Sequence, residues 1–118
     1  MSRDEKVTVV ETFLRCIASK DLARLPVDAA LTLQSPLTPK VGGPAAMAYL
    51  KRLAAGVNAI HVRQHIVEGD WVVTLFDEET TNGSLLVLAR FQVASGRIKH
   101  TAHTDAFYDP RLIIGATR

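Results

Sequence analysis

The first part of the chain has the apolar spacing of an amphipathic helix. Apolar residues recur every three to four positions, at Val7, Val10, Leu14 and Ile17. Such a stripe indicates a helix with one buried face. Ser2 and Glu5 precede the stripe at the spacing of a capping box, in which each side chain accepts a hydrogen bond from the other residue's backbone N–H. The pattern predicts a first helix from about Arg3 to Ser19.

The next part of the chain alternates short elements with strong stop signals. Asp21 is suited to cap a short second helix, and Pro26 ends it. Residues 30–34 alternate apolar and polar positions like a strand. Two prolines then stop this strand, at Pro36 and Pro39. A third helix is predicted from Pro44, which suits the first helical position, to Gly56, which suits the turn after a helix.

From Ala59 onward the apolar period changes to two, which is the period of strands. Tight turns at 68–70, 82–83 and 94–96 separate four strands, and the last three cover 71–80, 85–93 and 97–107. Helices gathered at one end and an antiparallel meander at the other indicate one α+β domain over residues 1–118. A strongly curved sheet wrapped over the helices would form a cone with an apolar pocket inside.

Composition excludes several classes of function. The chain has 118 residues, 47% of them hydrophobic, a net charge of +2 and a single cysteine, Cys16. No basic stripe suggests a nucleic-acid partner, and no apolar run approaches the roughly 18 residues of a membrane span. No signal peptide is recognisable at the start, so we expect a cytoplasmic protein. Cys16 has no internal disulfide partner, and no Cys/His spacing suggests zinc.

A set of short motifs, in fixed order and separation, spans nearly the whole chain. They are Val9-Val10-Glu11-Thr12-Phe13, Ser19-Lys20-Asp21-Leu22, Gln34-Ser35-Pro36, Gly42-Gly43-Pro44-Ala45-Ala46, Glu68-Gly69-Asp70, 91–98 and Tyr108-Asp109-Pro110. In these motifs the chain resembles the nuclear transport factor 2-like superfamily, in particular its SnoaL-like and ketosteroid-isomerase-like branches. The resemblance implies a cone-shaped, cystatin-like fold, a pocket for a small hydrophobic molecule, and pairing into a homodimer through the exposed sheet face.

The resemblance also allows the sites of the family to be tested residue by residue. Ketosteroid isomerases carry a tyrosine, a base aspartate and a second acid where this chain has Phe13, Ser35 and Ala89. That mechanism needs a base and two donors, so we do not expect steroid isomerisation by this route. The resemblance to limonene-epoxide-hydrolase-like members places an acid at Glu78 but no matching arginine. Their last-strand aspartate falls near His103.

SnoaL-like cyclases use a last-strand aspartate with a nearby histidine, and His103 and Asp105 match these residue types. Under strict alternation these two residues share one face of the last strand with Thr101, where a carboxylate would make the imidazole more basic. The alternative is a solvated face with an ordinary surface pair. Glu78 and Asp77 face opposite ways on their strand, so one of them should point inward.

Four further residues are candidates for substrate binding, each with a structural alternative. They are Gln34, Tyr49, Phe76 and Trp71. Gln34 would donate a hydrogen bond from the first strand, whereas the two aromatic rings and the Tyr49 hydroxyl would line the pocket unless they only pack in the core. The stripe of His61, Arg63 and His65 is interpreted as the outer face of a half-wet sheet, with a pocket rim or a dimer interface as the alternatives. The arginine disfavours a metal there.

Two functions of different classes remain open. The first is a small acid–base catalyst, an isomerase, cyclase or hydrolase, in which His103 is the base, Asp105 its partner and Glu78 a second carboxylate. No glycine-rich phosphate loop is present, so no cofactor is expected. The second is a non-catalytic module that binds a small ligand or mediates dimerisation, because a cone that lacks the family's catalytic groups can still bind.

Overall fold

A computed structural model describes residues 1–35 and 38–104. In this part of the chain two α-helices, a 3-10 turn and six strands follow one another. Their bounds are α1 Arg3–Ser19, the 3-10 turn Leu22–Arg24, β1 Val27–Ser35, β2 Thr38–Gly42, α2 Pro44–Gly56, β3 Val57–Glu68, β4 Trp71–Thr80, β5 Gly83–Ala94 and β6 Arg97–Thr104. The prediction of a curved α+β fold is confirmed.

The ends of α1 are fixed by local hydrogen bonds. The Ser2 hydroxyl accepts from the Glu5 backbone N–H at 3.1 Å, and the Glu5 carboxylate accepts from the Ser2 backbone N–H at 3.1 Å. Lys20 ends the helix in the left-handed region at φ 63°. Its ammonium group donates to the carbonyl oxygens of Ala54 at 2.6 Å and Val57 at 2.7 Å, so the end of α1 also holds the end of α2.

The strands form one open sheet in the order β2-β1-β6-β5-β4-β3. Strands β3 to β6 are an antiparallel meander, as predicted. The sheet is mixed because β1 runs parallel to β6, while β2 pairs with β1 in the antiparallel sense. The sequence did not predict β2, since Pro36 and Pro39 indicated a stop. An edge strand tolerates such a proline because one of its sides donates no hydrogen bonds to the sheet.

The two sides of the sheet differ in burial. On β4 and β5 alternate residues are buried, and the buried set is Val72, Thr74, Phe76, Glu78, Val87, Ala89, Phe91 and Val93. We call this side the inner face, and the opposite side the outer face. Apolar side chains of α1 and α2 are buried with it in one core, and the rings of Phe13 and Phe91 meet edge to face at 5.5 Å. The described helices include none long and apolar enough to cross a membrane.

A bulge in β3 changes which residues face inward. The pairing of β3 with β4 shifts between Val62 and Gln64, so that His65 lies opposite the buried Thr74. A strand bulge adds one residue and reverses the parity of everything after it. The interpretation that His61, Arg63 and His65 share the outer face is therefore wrong for His65.

Candidate functional site

The inner face and the helices enclose a small apolar cavity. Its volume is about 30 Å³. A cavity of this size has room for about one water molecule. The lining is Phe13, Leu14, Ile17, Leu33, Leu50, Leu53, Ile60, Phe76, Glu78, Val87, Ala89, Phe91 and Thr101. Two of these side chains are polar, so the cavity combines an apolar wall with a carboxyl and a hydroxyl group.

Glu78 is the ionisable residue of this lining, and it points into the cavity because it lies on the inner face of β4. It is 8% exposed and pairs across the sheet with Ile60 on β3 and Leu85 on β5. Glu78 also borders an open depression of about 510 Å³ between the end of α2 and the β4–β5 hairpin. Arg52 and Leu53 of α2 line the depression on one side. The carboxyl-bearing residue Glu78 thus borders both the apolar cavity and the open depression.

Thr101 supplies the second polar group of the cavity wall. It is 4% exposed and pairs with Phe91 in the register of β5 and β6. The irregularity between Gln92 and Val93 adds a residue to β6, so that both Ile98 and Thr101 are buried although they are three positions apart. A hydroxyl group can both donate and accept, so it suits a ligand oxygen.

A chain of polar side chains ties α1 to the sheet, running from the exposed Glu11 through His65 to the buried Thr74. Nδ1 of His65 lies 2.8 Å from the Thr74 hydroxyl oxygen, and Nε2 lies 3.0 Å from the Glu11 carboxylate. A hydroxyl, an imidazole and a carboxylate in this order match the composition of a nucleophilic triad. Thr74 is 0% exposed, however, so no substrate reaches its hydroxyl and the chain is structural. Strict period-two alternation missed His65 because the sequence carries no clear signal for the bulge.

The structure brings only some of the predicted site residues to the cavity. Glu78 and Phe76 line it, and Tyr49 of α2 packs against the same core, half-buried, with the guanidinium carbon of Arg52 5.8 Å from its ring centroid. Gln34 is exposed and alternates with Leu33, which lines the cavity, so Gln34 lies on the outer face. Trp71 also lies on the outer face, one residue before the buried Val72.

The structure describes only part of the predicted catalytic pair, His103 and Asp105. Asp105 and the side chain of His103 lie outside the described residues. The backbone of His103 pairs with Ala89, which is part of the cavity lining. Within residues 1–35 and 38–104, no group of three or more His, Cys, Asp and Glu side chains is arranged to hold a metal ion.

At one end of the outer face, basic side chains surround the indole of Trp71. The guanidinium carbon of Arg90 lies 4.5 Å from the Trp71 ring centroid, and the His100 ring meets the same indole edge to face at 6.2 Å. Nδ1 of His100 lies 2.6 Å from the Thr32 hydroxyl oxygen. The pKa of His100 is below its ordinary value of 6.5, first because the ring is partly buried and then because Lys40 and Arg90 are close.

Solved structures of other proteins share this architecture. A de novo designed protein with a curved β-sheet superposes with a TM-score of 0.78 at 18% identity, covering 98% of this chain and 96% of its own. A nuclear transport factor 2-like protein of unknown function from Cytophaga hutchinsonii gives a TM-score of 0.72 at 14% identity, with coverages of 92% and 94%. A limonene-epoxide-hydrolase-like epoxide hydrolase of M. tuberculosis gives 0.75 at 19% identity, with coverages of 95% and 97%. The nuclear transport factor 2-like fold expected from the sequence is confirmed.

Sequence comparison adds a family but no activity. A family model described as "Domain of unknown function (DUF4904)" matches residues 1–117. No curated protein matches the sequence. Any assignment of chemistry therefore depends on the residues of this chain.

Proposed function

Since this chain belongs to the family Domain of unknown function (DUF4904) and has the nuclear transport factor 2-like fold, we propose that it binds a small apolar molecule at the cone and acts on it by acid–base chemistry at Glu78. The observation that carries this proposal is the position of one carboxyl group between an apolar cavity and an open depression. An apolar concavity with a few convergent polar groups is the usual form of a small-molecule site.

The chemistry of a carboxyl group in such surroundings supports a catalytic role. A carboxyl group held at the wall of an apolar cavity can act as a general acid or base toward a bound substrate. Glu78 is 8% exposed and has the side chains of Phe76 and Val87 in the same cavity wall. Thr101 would hold a substrate oxygen within the same wall. Neither role requires a cofactor.

The size of the cavity determines how a ligand would enter. A volume of about 30 Å³ is far smaller than the roughly 300–1,000 Å³ of typical ligand pockets. The open depression of about 510 Å³ is of the required size. We therefore place the body of the ligand in the depression, against Leu53 and Leu85, with its reactive group toward Glu78. The guanidinium group of Arg52 would lie at its edge.

His103 and Asp105 remain proposed partners of this carboxyl group. The pairing of the His103 backbone with Ala89, a residue of the cavity wall, supports keeping His103 as the proposed base. Asp105 would then orient its imidazole. In this arrangement an acid and a base act from two strands on one ligand, as hydrolysis of an epoxide or closure of a ring requires.

The test compares Glu78→Gln with a matched variant on the same strand. Glu79→Gln makes the same chemical change at the next residue, which is exposed. A panel of small lipophilic epoxides and ketones is first screened by thermal shift, and hits are followed for product by mass spectrometry. We expect Glu78→Gln to keep binding and lose turnover by about 100-fold or more, the usual contribution of an acid or base. Turnover that survives in Glu78→Gln would refute the role of Glu78.

A non-catalytic binding module is the second candidate. The observation that favours it is that Glu78 and Thr101 are the two polar residues among the described cavity lining, without a second ionisable group. In that case hits from the same panel would stabilise both Glu78→Gln and wild type, and no compound would be converted by either. The screen therefore separates the two functions.

Pairing of two copies through the outer face is also a proposal. Apolar side chains in the middle of this face are only half-buried in the single chain, and they are Val73, Leu75, Leu86 and Leu88. A second copy would cover them. Light scattering coupled to size-exclusion chromatography should give the mass of a dimer at micromolar concentration. The mass of a single chain would exclude this pairing.

A further inference from the structure

The cations on the described strands fall into two groups. Arg63 makes a two-bond ion pair with Asp77, at 2.7 and 3.0 Å, and Lys99 is 2.9 Å from the Asp28 carboxylate. Arg97 donates to the carbonyl oxygen of Val27. Arg90 and Lys40 differ, because within the described residues neither has a carboxylate within ion-pair distance or a protein acceptor for its N–H groups.

Arg90 and His100 meet at one indole, because the guanidinium carbon of Arg90 lies 4.5 Å from the Trp71 ring centroid and the His100 ring centroid lies 6.2 Å from it. Burial of the His100 ring, and then the positive charges of Lys40 and Arg90, lower the pKa of His100. The strand order explains this. His100 lies on β6, Arg90 lies on the neighbouring strand β5, and Lys40 lies on β2, which is separated from β6 by β1 alone. Their positive charges therefore add at one place on the outer face.

No carboxylate forms an ion pair with these cations among the described residues, and the residue between Trp71 and His100 in the register is the uncharged Gln92. Nδ1 of His100 is engaged by the Thr32 hydroxyl, while Nε2 has no protein partner within the described residues. Trp71 supports Arg90 from below, which holds the guanidinium group in one place without using its N–H donors. The nearest acid by register is Glu68, which pairs with Trp71 across β3 and β4 but makes no ion pair with Arg90.

We propose that Lys40, Arg90 and His100 form an oxyanion-binding site on the outer face, beside Trp71. A phosphoryl or carboxylate group would accept hydrogen bonds from the guanidinium N–H groups, from the Lys40 ammonium group and from Nε2 of His100. Charge-assisted hydrogen bonds of this kind are among the strongest that proteins make. The site lies across the sheet from Glu78 and does not depend on the function proposed for the cone.

The indole of Trp71 makes the proposal directly measurable. It is the only tryptophan of the chain, so fluorescence excited selectively at tryptophan, without exciting the two tyrosines, reports on this site. Inorganic phosphate and, separately, acetate are titrated into the full chain at constant ionic strength, with chloride as the non-binding reference. We expect a saturable change in Trp71 fluorescence and an NMR-detected rise in the pKa of His100. Saturation by phosphate, by acetate or by both identifies the oxyanion.

Matched variants separate binding from general charge effects. Arg90→Gln and Lys40→Gln should each weaken binding about tenfold, because one charge-assisted hydrogen bond contributes about 1.5 kcal/mol. Lys51→Gln removes the same charge from an exposed position of α2 and should leave the affinity unchanged. The proposal is overturned if neither oxyanion gives a saturable change beyond chloride, or if Lys51→Gln weakens binding as much as Arg90→Gln.

Discussion

The replacement Phe91→Ala tests whether the interior of the cone is packed as described. Phe91 is 1% exposed, lines the cavity and meets Phe13 edge to face at 5.5 Å. Removing its ring deletes buried apolar surface and an aromatic pair at the same time. The space it leaves would join the existing cavity of about 30 Å³, so neighbouring side chains could not close it easily.

The loss of buried apolar surface and of the aromatic pair sets the expected decrease in the free energy of unfolding. Truncation of a buried phenylalanine to alanine typically costs about 3–5 kcal/mol, and incomplete collapse of the site favours a value of about 4 kcal/mol. Stability of about 0.05–0.15 kcal/mol per residue gives about 6–18 kcal/mol for 118 residues, so the variant should still fold. Urea unfolding followed by circular dichroism gives the loss in free energy directly.

Val62→Ala is the matched control for this measurement. Val62 lies on β3 and is 38% exposed, so its truncation should cost only about 0.5 kcal/mol. If Phe91→Ala cost less than about 1.5 kcal/mol, the ring would not be buried against Phe13 as described. Benzene should bind in the enlarged cavity and restore part of the lost stability, because a ligand that binds only the folded state stabilises it.

Two further predictions concern polar contacts at the end of α1 and at the start of β1. Lys20→Met should lower the free energy of unfolding by about 1–2 kcal/mol, because the carbonyl groups of Ala54 and Val57 lose their donor; an unchanged urea midpoint would contradict this. The pKa of Asp28 is below its ordinary value of 3.8, because the Ala30 backbone N–H and then the Lys99 side chain donate to it. The unfolded chain therefore takes up a proton at higher pH than the folded chain, so this stabilisation is complete above pH 3.8 and lost as pH falls below it. Asp28→Asn should flatten that acid dependence in urea midpoints measured between pH 5 and 2, and an unaltered slope would exclude Asp28 as its source.

Local sequence signals predicted the helices more closely than the sheet. The capping box of Ser2 and Glu5 fixed the start of α1, because the two reciprocal hydrogen bonds need only those residues at that spacing. The strand β2 was missed because a proline usually ends a strand, and only the sheet order shows that this one lies at an edge. The parallel pairing of β1 with β6 joins segments far apart in the chain, so no local pattern encodes it.

The candidate site was predictable in residue type but not in size or in every orientation. Of the two neighbouring acids Asp77 and Glu78, one was expected to face inward, and Glu78 is the one that lines the cavity. Gln34 and Trp71 lie on the outer face, since alternation gives parity but does not say which parity faces the helices. His65 turned inward because a bulge reverses parity. The cavity volume depends on how side chains from separate elements fill the cone.

The most direct test of the central claim locates a bound ligand within the fold. A lipophilic compound that stabilises the protein is studied by NMR, and intermolecular nuclear Overhauser effects are recorded to methyl groups. We expect contacts to Leu53, Leu85 and Val87, around the Glu78 carboxyl group. Contacts confined to outer-face methyl groups such as those of Leu75 and Leu88 would contradict it.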